Sequence, residues 1–197
     1  AGRGRPGLLT EIVREEAAQA LTETELRTLF VTLFLAGHET TVHLLIHAVL
    51  ALARDAQLRR RLLDQPEATP ALVEELMRWS SLIMVTTMHV ATRDMEFEGV
   101  RLKRGEQVCA GILAANYDTA RHADPGRLIP DRRPNAHLAF GFGPHVCLGM
   151  QLARAEAEIA LTRLVARFPE FTLDGPPPRW RKRVGLRVRR PLTIRLG

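Results

Sequence analysis

The sequence predicts a mainly α-helical fold with small antiparallel β-sheets, and three stretches carry that expectation. Apolar residues recur at helical spacing across residues 22–55. A β-like texture punctuated by Gly99 and Gly105 runs from Val85 to Ile112, and a second helical pattern fills residues 148–168. At 197 residues, with 46% hydrophobic and 25% charged side chains, the chain is long enough for one sizeable core and is not compositionally disordered.

Taken in order, residues 1–7 read as flexible and Leu8 to Ala20 as a short lead-in helix. Thr22 and Glu25 form a capping-box pattern, after which Leu26, Leu29, Phe30, Leu33 and Phe34, then Leu44, Leu45, Ala48 and Leu52, mark a helix of unusual length over 22–55. A short helix near Gln57 to Leu63 ends before Pro66, and Pro70 opens another over 70–81. Asn116 to Pro134 is polar, irregular and proline-bearing, a long ordered meander or a weakly structured loop, and the meander is taken to span 116–139. There are no internal repeats.

The net charge is +6, carried almost wholly by arginine, since Lys103 and Lys182 are the only lysines. Much of the excess lies between Arg179 and Arg195, where Val184, Leu186 and Val188 alternate with Arg187 and Arg189. Alternation of that kind is a strand with one solvated face, with an acidic partner protein as the alternative; nucleic acid is not expected. The apolar run from Leu26 is broken by Arg27 and closed by His38 and Glu39, so no membrane span is expected. No signal peptide is expected either, which places the protein in the cytoplasm.

Two cysteines make no disulfide framework. Cys109, in QVCAGILA, reads as a small residue of a buried strand. Cys147 lies in the glycine-rich segment FGFGPHVCLG, Phe140 to Gly149, a poor place for inert packing. The amides at the start of the following helix would stabilise a thiolate there, and the glycines would admit a large planar ligand. Zinc and iron–sulfur sites want clustered ligands that the neighbourhood lacks. A nucleophilic cysteine with His145 as base stays open, although no third group is placed to orient the histidine. The segment HETTVH sets His38 and His43 five apart, not the four a zinc-protease helix needs. Glu39, His43 and His47 share one helix stripe, read as a solvated or hydrogen-bonded face rather than a metal site.

Phe140, Gly141, Gly143, His145, Cys147 and Gly149 resemble the haem-binding loop F-G-x-G-x-[HR]-x-C-x-G of the cytochrome P450 family. Ala36-Gly37-His38-Glu39-Thr40-Thr41 is similar to the acid–threonine motif of that family's long distal helix. Glu75 and Arg78 match its E-x-x-R helix, and Arg127 falls where a second arginine completes the lock. Four motifs in order cover nearly the whole chain, most like the soluble bacterial branch.

The resemblance implies a cofactor, haem b (iron protoporphyrin IX), with Cys147 as the iron ligand. It also implies that Phe140 shields the sulfur, that Ala36 and Gly37 admit the ligand, and that His89, His137 and His145 face the propionates. Glu39 and Thr40 would deliver protons, and Glu75, Arg78 and Arg127 would form a structural lock. The implied activity is a monooxygenase that takes electrons from a ferredoxin/ferredoxin reductase-type donor and uses dioxygen to oxidise a small apolar organic substrate in a pocket that Leu82 to Thr87 partly line. Alternatives are a peroxygenase, against which Glu39 and Thr40 argue, and a non-catalytic haem-binding scaffold. Family members are about twice this length, so the chain is expected to correspond to their C-terminal half. The Leu26 to Phe34 side of the long helix is then expected to be an exposed apolar stripe, covered by a complementary N-terminal half or by self-association.

Overall fold

A computed structural model of the chain describes residues 7–14 and 20–197. Its contacts divide the chain into two compact units, Ala1–Thr40 and Thr41–Gly197. Of the expected lead-in segment, a helix α1 spans Leu8–Arg14, and residues 1–6 and 15–19 lie outside the described residues.

The long helix α2 spans Glu23–Arg54. Its start is set by a reciprocal capping box: the Thr22 amide donates to the Glu25 carboxylate at 2.8 Å, and the Glu25 amide donates to the Thr22 hydroxyl at 3.3 Å. Within the first unit, Val31, Phe34 and Leu35 are exposed, and the Phe34 and His38 rings stack at 5.5 Å. By length and mean hydropathy α2 is the one described helix apolar enough to cross a membrane. Its C-terminal half, however, is buried in protein through Leu44, Ala48 and Leu52, each four residues from the last.

The second unit packs around that stripe. One residue separates α2 from α3 (Ala56–Asp64): Asp55, whose carboxylate caps the Leu58 amide at 2.9 Å. Helix α4 (Thr69–Ser80) follows a single 3-10 turn with Pro70 near its start, and ends where Ser81 turns left-handed. Leu58 and Leu62 of α3 and Leu72, Val73 and Leu76 of α4 meet Ala157, Leu161 and Val165 of α6 (Met150–Arg167). Phe171 closes the core from β5 (Phe171–Leu173), which pairs with β6 (Ile194–Leu196).

The β-like stretch forms two antiparallel ladders. β1 (His89–Val90) pairs with β4 (Gln107–Val108), and β2 (Met95–Phe97) with β3 (Val100–Leu102). The β2–β3 turn is two residues, Glu98 and Gly99, both at positive φ, the twist a tight hairpin requires. These ladders carry no second layer, and Cys109, expected in a buried strand, is exposed beyond the end of β4. The chain turns helical directly afterwards, as α5 (Ile112–Asn116).

The meander is held by a buried ion pair. Arg78 and Glu75 have fully buried side chains and bond twice, at 2.8 Å each. Burial alone would raise the Glu75 carboxyl. Hydrogen bonds from Arg78, the Ile129 amide and Arg132 outweigh it, so its pKa is lowered. The remaining Arg78 donors reach the carbonyls of Asn116, Pro125 and Arg127 at 2.9, 2.8 and 3.1 Å.

Here the structure corrects the expected third member. The Arg127 side chain is 76% exposed and lies 3.7 Å from the Asp124 carboxylate. Arg132 fills the place instead: its side chain is 6% exposed, and its Nε lies 3.0 Å from Glu75 Oε1. The cause is local. Asp124 takes a positive φ and its carbonyl accepts the Arg127 amide at 3.0 Å, a turn that points the Arg127 carbonyl inward.

On the Glu39–His43–His47 stripe, expected to be solvated or hydrogen-bonded, His43 and His47 are buried. His47 is 1% exposed, neither ring nitrogen has a hydrogen-bond partner, and Trp180 meets the ring edge-on at 5.3 Å. Burial, then Arg189 and Arg187, lowers its pKa to about 3. No group of three or more metal-binding side chains occurs among the described residues.

Two outcomes follow from this packing. Arg132→Ala is expected to lower stability by about 3 kcal/mol, the scale of breaking a buried pair, and Arg127→Ala by less than about 0.5 kcal/mol. Chemical denaturation of both variants checks this, and the reverse ranking refutes the reassignment. For His47, the unfolded chain takes up the ring proton near pH 6.5 but the folded chain resists until about 3. Below 6.5 the unfolded state therefore binds more protons, and stability falls as pH drops. His47→Leu should flatten that acid limb in denaturation midpoints taken between pH 7.5 and pH 4 (roughly the window of a shifted histidine). Parallel curves for parent and variant would show that His47 does not cause it.

Candidate cofactor-binding site

Cys147 sits on a loop closed by its own backbone. The Leu138 amide is anchored on Asn116 Oδ1 at 2.8 Å, the Gly141 amide turns back to the Leu138 carbonyl at 2.9 Å, and the Cys147 amide donates to the Phe140 carbonyl at 2.9 Å. Gly141 and Gly143 have φ of 73° and 81°, the left-handed region in which a side chain is strained. Between them and the cysteine, Gly143–His145 make one 3-10 turn around Pro144. Gly149 caps α6, whose first turn contains no acid.

That geometry presents the sulfur outward. Cys147 is exposed, and Phe142 and Leu148 of the same loop are each 90% exposed.

Around the loop base a second carboxylate is engaged. Glu74 accepts from Arg154 Nε at 2.6 Å and Nη2 at 2.9 Å, and lies 3.2 Å from His137 Nε2. The hydrogen bond from His137, followed by that from Arg154, outweighs burial and holds the Glu74 pKa at about 2. His137 was expected at a propionate, and the structure corrects this. Its side chain is 4% exposed, one ring nitrogen faces Glu74, and the other accepts the Ala139 amide at 3.3 Å. His145 and His89 are exposed, His89 within the β1–β4 ladder opposite Val108.

The remaining expected residues lie on α2 in the first unit. Ala36 and Gly37 are exposed, and Glu39 and Thr40 are half-buried. A Cβ added at Gly37 would meet nothing within 4 Å. The Thr40 hydroxyl donates to the Ala36 carbonyl at 2.7 Å, a back-bond that Thr28 and Thr32 also make. Sequence motifs thus locate the loop and the Glu75–Arg78 pair but miss Arg132, Asn135 and the Glu74–Arg154 bond. The readable signal for the last is Glu74, a second acid beside Glu75 on α4.

The Cytochrome P450 family model matches residues 5–194. Mycinamicin IV hydroxylase/epoxidase of Micromonospora griseorubida is 40% identical over 95% of this chain and 48% of its own length. The polyketide-biosynthesis cytochrome P450 PksS of Bacillus subtilis is 39% identical over 96% of this chain and 48% of its own. The solved structure of P450BioI, in complex with acyl carrier protein ligated to hexadec-9Z-enoic acid, superposes with a TM-score of 0.86 at 35% identity, covering 96% of this chain and 52% of that one. The chain spans about half the length of these relatives. With the loop, the E-x-x-R pair and the family match in agreement, the chain belongs to the cytochrome P450 family, whose haem iron is ligated by a cysteine.

Proposed function

We propose that this chain is the haem-ligating part of a monooxygenase, with Cys147 Sγ as the iron ligand. One observation carries the proposal: an exposed thiol on a loop in which Gly141 and Gly143 take positive φ and apolar Phe142 and Leu148 are also exposed. No cluster of metal ligands accompanies it among the described residues, so the donor set fits a metal that brings its remaining ligands with it. Iron protoporphyrin is such a group, and when bound it supplies the activation of dioxygen and the oxidation of an organic molecule.

The chain's own residues would hold and serve it. Cys147 lies just before the start of α6, and Phe140, at the beginning of the loop, packs against the core. His145 and His89, both exposed, are the imidazoles available to propionates. On α2, the Thr40 hydroxyl has its hydrogen committed to Ala36, which leaves its oxygen to accept a hydrogen bond, and Glu39 can carry a proton. The mostly apolar stretch Leu82 to Thr87 fits an apolar organic substrate. The net charge of +6 fits an acidic electron donor of the ferredoxin type. Exposed Val31, Phe34 and Leu35 fit further polypeptide closing the molecule, from a complementary half or a second copy.

Adding haem to the purified chain and recording the ferrous carbon monoxide spectrum tests the ligand. A red-shifted, thiolate-type Soret band is expected, and Cys147→Ser should abolish it. An ordinary histidine-type spectrum in the parent sinks the proposal. Thr40→Ala should keep that band while lowering product formed per oxygen consumed by about tenfold or more, the scale of a lost proton-transfer group. Unchanged coupling would remove Thr40 from proton delivery.

A further inference from the structure

We infer that Glu74, His137 and Arg154 are positioning residues that set the conformation of the Cys147 loop, independently of the Glu75 lock one residue away. The inference rests on Cys147 as the haem ligand for its functional meaning, although the clamp itself is a feature of the polypeptide.

Neighbouring glutamates on α4 serve different neighbours. Glu75 binds the meander through Arg132, Ile129 and Asn135. Glu74 instead joins the strand of chain leading into the loop to helix α6. Its Oε1 accepts Arg154 Nε at 2.6 Å, and its Oε2 accepts Arg154 Nη2 at 2.9 Å and faces His137 Nε2 at 3.2 Å. A two-pronged arginine–carboxylate bond fixes direction as well as distance. The carboxylate is two-thirds buried and His137 almost wholly so, with side-chain exposures of 33% and 4%, so this is not an exposed pair that water would screen.

Both of Glu74's partners reach Phe140. The Arg154 guanidinium stands 4.8 Å from the centre of the Phe140 ring, and the His137 ring lies 6.0 Å from it. His137 Nδ1 also accepts the Ala139 amide at 3.3 Å, fixing the backbone immediately before Phe140. The Phe140 carbonyl then accepts the Cys147 amide at 2.9 Å. A continuous path therefore runs from a carboxylate on α4, through an imidazole and a guanidinium on two further elements, to the amide of the ligand residue. Loosening it should free the Phe140 carbonyl and with it the Cys147 amide.

Amide hydrogen exchange on the haem-free full chain reads this without any activity. Glu74→Gln and Arg154→Ala are expected to speed exchange in residues 140–149 by about fivefold, the effect of one lost hydrogen bond. Exchange in the second half of α6, residues 157–167, which carries the buried Ala157, Leu161 and Val165, should stay unchanged. Arg61→Ala, which removes a bridge to Asp131 on the surface, serves as the control and should leave the loop unchanged. Loop exchange in Glu74→Gln no faster than in Arg61→Ala overturns the inference. So does faster exchange throughout α6, which would mark general destabilisation. With haem and carbon monoxide added, Glu74→Gln should also lower the share of the thiolate-type band relative to the parent, and an unaltered share overturns the positioning role. A parent lacking that band would instead overturn the haem-thiolate reading, while exchange still decides the clamp.

Discussion

Glu75 and Arg78 are two full charges with no contact to water, held on one face of α4 and three residues apart. Removing such charges from solvent costs several kcal/mol each, and their mutual attraction alone does not guarantee a net gain. The pair persists because every remaining donor and acceptor is used: Arg78 reaches three carbonyls of the meander, and Glu75 receives Ile129, Arg132 and Asn135. A segment with almost no regular secondary structure is thereby given one conformation. The loop that follows inherits it, since Asn116, whose carbonyl binds Arg78, also holds the Leu138 amide through its side chain.

The second unit is then organised around α4, with apolar contacts on one face and polar fixings on the other. Leu72, Val73 and Leu76 enter the core shared with α2, α3 and α6. Glu74 and Glu75, between them in sequence, bind the loop base and the meander. A single twelve-residue helix thus couples the packing of the interior to the placement of a thiol on the surface.

The sequence made the long helix, the helix over 70–81 and the cysteine loop readable, because each carries a periodic or motif signal that local chemistry enforces. Thr22 and Glu25 show this most directly, since the capping box seen in the letters is the one formed. Long-range partner choice was not readable. Arg127 and Arg132 are both arginines of the same meander, and only the left-handed turn at Asp124 decides which guanidinium points inward. Resemblance puts His137 at a propionate, and nothing local reveals that Glu74, 63 residues away, takes one of its nitrogens. Cys109 looked buried because a short apolar run has the same appearance in a core and at the end of a bare two-stranded ladder.

Arg78 grips the meander by main-chain oxygens, those of Asn116, Pro125 and Arg127. Every amino acid supplies such an oxygen, so the identities of the side chains at Pro125 and Arg127 are largely free to drift while the path of the chain is not. Insertions or deletions, which shift the carbonyls out of reach, would be far more damaging there than substitutions. The segment is written in length and curvature more than in letters, so comparing letters is a poor way to find it.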